Sequence, residues 1–231
     1  MIQERISSVI NNIAEVCKQN GRKPEDITLV GVTKYANVDQ IAESIDAGLK
    51  HIGENRVQDA LEKFELLSFM GKIVTKHMIG HLQSNKVKVA VEIFDIIESV
   101  DSVKLISAIE TCAKNIGKKI EILVQVNVSG EEQKSGCSVD DLESIIKKAK
   151  EFEFTRVSGL MTMAPLIEDK EIIRKCFASL RELKEKLAEK YGSYPNIDLK
   201  HLSMGMSSDY EIAIQEGSDM IRIGRAIFQD E

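Results

Sequence analysis

The sequence contains little proline and no closely spaced cysteines, and both absences narrow the class of protein. Its 231 residues include only 3 prolines, which excludes Pro-rich linkers and long disordered arms. The four cysteines, Cys17, Cys112, Cys137 and Cys176, are too far apart to form a CxxC or zinc-ribbon motif. We interpret them as reduced thiols of a cytoplasmic protein.

Signals for membrane insertion, secretion and nucleic-acid binding are also missing. No run approaches the ~18 apolar residues that a membrane span needs, and the N-terminal segment carries polar residues where a signal peptide is apolar. Lys plus Arg number 31 and Asp plus Glu number 37, for a net charge of -6. This balance argues against a general binder of nucleic acid or anionic membranes. The length predicts one domain over residues 1–231.

Short apolar runs alternate with amphipathic stretches along the whole chain. The runs predict strands at Ile27–Val32, His51–Gly53, Lys76–Gly80, Phe94–Glu98, Ile120–Val128, Arg156–Thr162, Asp198–Met204 and Met220–Gly224. Eight strands that alternate with helices over ~200–250 residues predict an α/β fold, a single (β/α)8 TIM barrel. A doubly wound open sheet is the alternative, although no G-x-G-x-x-G follows the first strand.

Helices are predicted by amphipathic periodicity and by their end signals. An extra helix at Met1–Gln19 precedes the first strand, and Val38–Ala47 and Val103–Ile116 each end before a glycine. A long charged helix is expected at Asp169–Lys190. The Ser208–Gly217 segment opens with Ser-x-x-Glu, the pattern of a capping box.

In such a barrel, chemistry belongs at the carboxyl ends of the strands, and Lys34 follows the first of them. Its side chain is expected to begin in dry surroundings, where desolvation disfavours an ammonium and frees the amine as a nucleophile. This interpretation makes Lys34 a Schiff-base lysine. The alternative is a lysine at a strand end with its charged head in water.

The segment SMGMSSD at 203–209 has the composition of a phosphate-binding loop. Gly205 permits close approach of the backbone, the serines offer hydroxyl groups, and a helix start would offer unpaired N–H groups. The loops after strands seven and eight are the habitual phosphate site of these barrels, and Gly224 follows strand eight. The alternative is an ordinary N-capped loop.

Arg222 interrupts an apolar strand, and an arginine that points into a barrel needs a partner because its charge cannot be neutralised. That partner could be a carboxylate or an acceptor on a ligand, such as a ring nitrogen. His77 and His81 form H-x-x-x-H, but this spacing spans a strand end and a loop here. No Glu follows His77, so we expect no metal site.

Six motifs occur together in the order of a known family. They are LVGVTK (29–34), HIGENRVQDA (51–60), HMIGHLQSNK (77–86), SGLMTM (158–163), HLSMGMSSDYEIAI (201–214) and IRIGRAIF (221–228). With them the sequence resembles the pyridoxal phosphate homeostasis protein family along nearly its whole length. The resemblance implies a monomeric barrel of the alanine racemase N-terminal-domain type (PLP fold type III) that holds pyridoxal 5′-phosphate (PLP).

The resemblance also implies roles for particular residues. Lys34 takes the Schiff-base position and Arg222 faces the pyridine nitrogen. The residues implied at the phosphate are Ser207, Gly224 and Arg225, with Ser203 beside them. Those implied along the rest of the pocket are Asn55, His81 and Met161.

The implied function is that of a PLP carrier in vitamin B6 homeostasis without catalytic turnover, with PLP-dependent apo-enzymes as possible recipients. Racemases of this fold take a second acid/base residue from an added domain, whereas this sequence ends soon after Phe228. A minimal amino-acid racemase or decarboxylase is the main alternative. Two further hypotheses remain. One is an aldolase-like barrel that uses Lys34 on a sugar phosphate, and the other is a non-catalytic scaffold.

Overall fold

Within residues 1–131 and 133–229, which the computed structural model describes, eight parallel strands close into a barrel in chain order. The strands are β1 (Thr28–Val32), β2 (His51–Glu54), β3 (Thr75–Met78), β4 (Ile96–Val100), β5 (Ile120–Gln125), β6 (Thr155–Met161), β7 (Ile197–Ser203) and β8 (Met220–Ile223). Strand β1 pairs with both β2 and β8. The predicted (β/α)8 barrel is therefore confirmed, and the open doubly wound sheet is excluded.

Helices surround the barrel in the same described ranges. They are α1 (Ile2–Gln19), α2 (Val38–Asp46), α3 (Val57–Phe69), α4 (Val87–Ile93), α5 (Val103–Ile116), α6 (Val139–Ala149), α7 (Lys170–Tyr191), α8 (Tyr210–Gln215) and α9 (Arg225–Phe228). Gly48 and Gly117, which follow α2 and α5, adopt positive φ angles of 100° and 67°. Both predicted helix ends thus have the left-handed residue that glycine tolerates best.

The predicted N-terminal helix exists as α1. Its buried side chains Ile2, Ile6, Val9, Ile13 and Val16 recur every three or four residues, so they form one apolar stripe. This stripe packs α1 against α8 and α9. The helix therefore lies beside the loops that follow β7 and β8.

Two local predictions are corrected by the structure. Phe94 ends α4 and is buried, so β4 begins later than predicted and Glu98 lies in the middle of the strand. Helix α8 begins at Tyr210, so the predicted capping box of Ser208 and Glu211 is wrong. Asp209 occupies the N-cap position, and its carboxylate accepts the backbone N–H of Met206 at 2.6 Å.

Side chains on the two faces of the barrel differ in polarity. The outward-facing residues of the strands, among them Ile52, Ile97 and Leu202, form an apolar core under the helices. The inward-facing residues include His77, Glu98, Ser203 and Arg222, each of them buried. Because buried charges must be paired, the interior holds a polar network whose members are fixed relative to one another.

Close packing between β6 and β7 generates a prediction for stability. A Cβ atom added at Gly159 would overlap the backbone carbonyl of His201, whereas one added at Gly31 would meet only the flexible end of Leu49. We expect Gly159→Ala to lower the free energy of unfolding by about 1–3 kcal/mol because the strands must separate, and Gly31→Ala to cost less. Urea unfolding of both variants measures this difference. Equal losses would contradict the packing described.

Candidate functional site

The turn after β1 is held in place by hydrogen bonds at Thr33. Its N–H donates to the Gly53 carbonyl at 3.0 Å, and its hydroxyl donates to the Glu54 carboxylate at 2.6 Å. Lys63, on α3, donates to the Thr33 carbonyl at 2.8 Å and to Glu54 at 2.7 Å. Thr33 is therefore fixed against the helix layer, and this fixes the point of the chain from which Lys34, the next residue, begins.

Lys34 is exposed, so the expectation that it begins in dry surroundings is wrong. Strand β1 ends at Val32, and Lys34 lies in the solvent-facing turn that follows. Its Nζ lies 5.0 Å from the centroid of the Tyr35 ring. It forms no hydrogen bond or ion pair with a residue in the described ranges. The amine thus contacts only the exposed Tyr35 ring among the described residues and is accessible to a ligand.

Gly224 lies next to the base of this turn. Gly31 pairs with Ile223, and a Cβ atom added at Gly224 would lie 3.2 Å from Cβ of Val32. Such a contact is tighter than side chains ordinarily make, so the residue after β8 approaches β1 closely because it is a glycine. Closure of the barrel therefore brings the segment after β8 beside the turn that carries Lys34.

Arg222 is 4% exposed and points into the barrel. Its Nη1 donates to the Ser203 hydroxyl at 2.5 Å, and its Nη2 donates to the Thr162 carbonyl at 2.9 Å. Burial lowers the pKa of the guanidinium, while the charges of Glu98 and Asp209 oppose this shift. Arginine keeps its charge at neutral pH even so. Met161 is adjacent, since it pairs in register with Ser203.

Glu98 supplies the carboxylate that the buried arginine requires. Its Oε2 accepts the Ser203 hydroxyl at 2.5 Å and lies 3.9 Å from Nη1 of Arg222. Burial alone would raise the pKa of Glu98, but the hydrogen bond to His77 and the charges of His77 and Arg222 hold it below its ordinary value. The carboxylate is therefore ionised at neutral pH.

Two histidines extend this polar network on the far side of Glu98. His77 Nδ1 lies 2.6 Å from Glu98 Oε1, and His77 Nε2 lies 3.0 Å from Nδ1 of His51. His77 is wholly buried and His51 is half-buried. We define the interior network as His51, His77, Glu98, Ser203 and Arg222.

A cavity of about 860 Å³ lies between α1 and the loops after β7 and β8. Its lining includes Arg5, Asn12, Ser207 and Arg225. The backbone N–H groups of Ser207 and Arg225 donate to no residue in the described ranges. Cationic side chains, a hydroxyl and free N–H donors together suit an anionic group.

Asn55 and His81 line a second cavity, of about 520 Å³, beside the ends of β2 and β3. Asn55 Oδ1 is buried and has no hydrogen-bond partner among the described residues. His81 is exposed, with Nδ1 3.6 Å from Asp101. His77 instead faces the barrel interior, so the two histidines of the H-x-x-x-H pattern do not face one ligand.

The predicted site residues thus form four groups at one end of the barrel. Ser207 and Arg225 share one cavity, Asn55 and His81 share another, and Met161, Ser203 and Arg222 lie inside the barrel. Lys34 and Gly224 follow the paired strands β1 and β8 and form a further group there. Sequence reasoning missed Glu98, although a glutamate within the apolar run FDIIESV was the available signal.

These groups have complementary chemistry. An accessible amine can attack an electrophilic carbon, a buried arginine can donate to a ring acceptor, and the Ser207 region can hold an anion.

No helix within residues 1–131 and 133–229 is long and apolar enough to cross a bilayer.

Comparison with known families first defines the class of protein. Residues 6–231 match the model of the alanine racemase N-terminal domain. The structure of alanine racemase from Clostridium difficile 630 superposes with a TM-score of 0.75, covering 99% of this chain and 57% of that chain. Identity to that racemase is only 19%, so this likeness concerns the fold alone. The class is a barrel of the alanine racemase N-terminal type.

Closer relatives narrow the class. A protein of Aquifex aeolicus named pyridoxal phosphate homeostasis protein is 39% identical over 225 residues, which cover 97% of this chain and 96% of the relative. The structure of PipY from Synechococcus elongatus PCC7942 with PLP bound is 32% identical, with a TM-score of 0.85 over 99% of this chain and 100% of that chain. The chain therefore belongs to the family of pyridoxal phosphate homeostasis proteins, within the alanine racemase N-terminal-domain family.

The interior network generates a pH prediction. Burial, and then the neighbouring His77, lower the pKa of His51 to about 4 from its ordinary 6.5. Because the folded-state pKa is depressed, the contribution of His51 to stability is present above about pH 6.5 and is lost as the pH falls through about 4.

An NMR titration of the His51 ring should therefore have its midpoint near pH 4. The free energy of unfolding should fall more steeply with acidification between these pH values than it does in His51→Gln. A His51 midpoint near 6.5 would contradict the partial burial of the ring beside His77.

Proposed function

We propose that this protein binds PLP, holds it as a Schiff base on Lys34 and serves intracellular PLP homeostasis without catalytic turnover. The observation that carries the proposal is the full-length similarity to a PLP-bound relative and to proteins named for PLP homeostasis. We further propose that residues 1–231 form one PLP-binding domain that acts as a cytoplasmic monomer. Proposed recipients of the cofactor are PLP-dependent apo-enzymes.

The residues present fit PLP by their donor chemistry. The phosphate is a dianion that needs several N–H and O–H donors. The free backbone N–H groups of Ser207 and Arg225 belong to residues that line a cavity, and Arg5 is also part of that lining. Asn55 Oδ1 is a buried acceptor without a described partner. An orphaned buried acceptor is costly unless a ligand or water satisfies it.

Lys34 would hold the cofactor, and the Ser207–Arg225 region would hold its phosphate. PLP supplies an aldehyde that condenses with an amine and a ring that withdraws electrons. Thr33, fixed by Gly53, Glu54 and Lys63, sets where the Lys34 side chain begins. Gly224 keeps the two regions close, since a larger residue would crowd Val32.

Arg222 would face the ring nitrogen. Met161, Asn55 and His81 would line the rest of the pocket, and Ser203, which accepts a hydrogen bond from Arg222, would lie beside the phosphate residues. A guanidinium that remains charged disfavours protonation of an adjacent ring nitrogen. The ring then withdraws electrons less effectively, which suits holding the cofactor better than turnover. The alternative of a minimal racemase or decarboxylase has less support, because the likeness to racemases concerns the fold alone.

Trapping the linkage tests the central residue. Incubation with PLP followed by borohydride should leave a reduced PLP adduct on Lys34, identified by peptide mass spectrometry. Lys34→Ala should lose the adduct and the visible absorption band. Lys104→Ala, which removes an exposed lysine of α5, is the matched control and should keep both. An adduct that persists in Lys34→Ala at another single lysine would overturn the assignment.

Ser207→Ala tests the phosphate region. The variant loses one hydrogen bond to a charged group, worth about 1.5–3 kcal/mol, so PLP should dissociate with a Kd roughly 10- to 150-fold higher. Equilibrium dialysis after mild treatment with a competing amine measures retention. Ser68→Ala, an exposed serine of α3, is the control. Equal retention by Ser207→Ala and the parent would exclude Ser207 from the phosphate site.

A further inference from the structure

The interior network contains a carboxylate that the proposed function does not use. Glu98 is wholly buried in the middle of β4 and touches none of the cavities at the barrel mouth. Both of its oxygens are engaged, Oε1 by His77 and Oε2 by the Ser203 hydroxyl. Burying a carboxylate this completely costs desolvation free energy, which its hydrogen-bond partners must offset.

The direction of each hydrogen bond follows from chemistry. An ionised carboxylate can only accept, so the Ser203 hydroxyl must donate to Glu98. The Ser203 oxygen is then the acceptor for Nη1 of Arg222, at 2.5 Å. By the same reasoning His77 must carry its proton on Nδ1. The network thus runs as a directed series from Arg222 through Ser203 to Glu98.

Arg222 is consequently held at both terminal nitrogens. Nη1 is fixed by Ser203 and Nη2 by the Thr162 carbonyl at 2.9 Å, while its backbone N–H donates to Gly205 at 3.0 Å. Among the described residues, Nε takes no part in these bonds. A planar guanidinium fixed at both terminal nitrogens holds its Nε–H in one direction.

We propose that Glu98 is the counter-ion of Arg222 and, with His77, the positioning group that aims this guanidinium at a ring nitrogen of the bound ligand. This inference rests on the proposed function. Glu98 acts through Ser203 and touches no ligand. The groups that face it are His77 from β3, Ser203 from β7 and Arg222 from β8, with Asp209 also near enough to influence Arg222.

The first test uses the ligand-free parent protein. Nitrogen-15 NMR of the histidine rings at pH 7 should find His77 protonated on Nδ1, because that atom must donate to the carboxylate. An unprotonated Nδ1 would overturn the proposal. This measurement needs no variant and does not depend on PLP.

The second test uses PLP-loaded variants. Glu98→Gln keeps the shape but removes the charge, so the uncompensated guanidinium should shift the visible absorption band and raise the Kd for PLP about tenfold. Glu98→Asp keeps the charge and should restore the band position at least partly. Glu216→Gln, which removes a carboxylate paired with Arg174 and Arg181 on the outer helices, is the matched control and should behave as the parent.

The outcomes separate this inference from the proposed function. Failure of the parent to trap PLP on Lys34 would overturn the proposed function, while the NMR result would still decide the state of the network. Normal trapping, with Glu98→Gln and Glu216→Gln equal in band position and retention, would overturn the role of Glu98. If Glu98→Gln does not fold, the band position of Glu98→Asp and the protonation of His77 Nδ1 decide whether Glu98 positions Arg222.

Discussion

Closure of the parallel barrel between β1 and β8 is the constraint on which the candidate site depends. Strand β1 follows the first helix, and β8 is the last strand of the described chain, yet Val30 pairs with Arg222 and Gly31 with Ile223. Parallel strands all end at the same edge, so the turn carrying Lys34 and the loop beginning at Gly224 lie side by side. The Lys34 amine and the loop proposed to bind an anion come from opposite ends of the sequence and thereby share one face of the barrel.

The same closure imposes a cost, because it places the arginine of β8 inside the barrel. A buried guanidinium cannot discharge itself, so the interior must supply acceptors. Glu98, Ser203 and the Thr162 carbonyl meet this need. Their arrangement links the electrostatics of the barrel interior to the residue proposed to meet the cofactor ring. The contacts that stabilise the buried Arg222 are therefore also those that would orient it toward the proposed ligand.

Periodicity and glycine signals predicted much of the fold, because strand pairing and helix ends depend on local chemistry. The bounds of α5 and the left-handed Gly48 and Gly117 follow from sequence alone. The predicted capping box at Ser208 is wrong because α8 begins at Tyr210, which puts Asp209 and not Ser208 at the N-cap position. The sequence did not identify which carboxylate pairs with Arg222, because that depends on which strands meet across the barrel. It left the exposure of Lys34 open, because that depends on where β1 ends.

A crystal structure of the protein grown with PLP would test the account most directly. The account predicts continuous electron density from Nζ of Lys34 to the cofactor, the phosphate bound by the N–H groups of Ser207 and Arg225, and Nε of Arg222 within hydrogen-bond distance of the ring nitrogen. Density for PLP on another lysine, or a phosphate remote from Ser207 and Arg225, would contradict it.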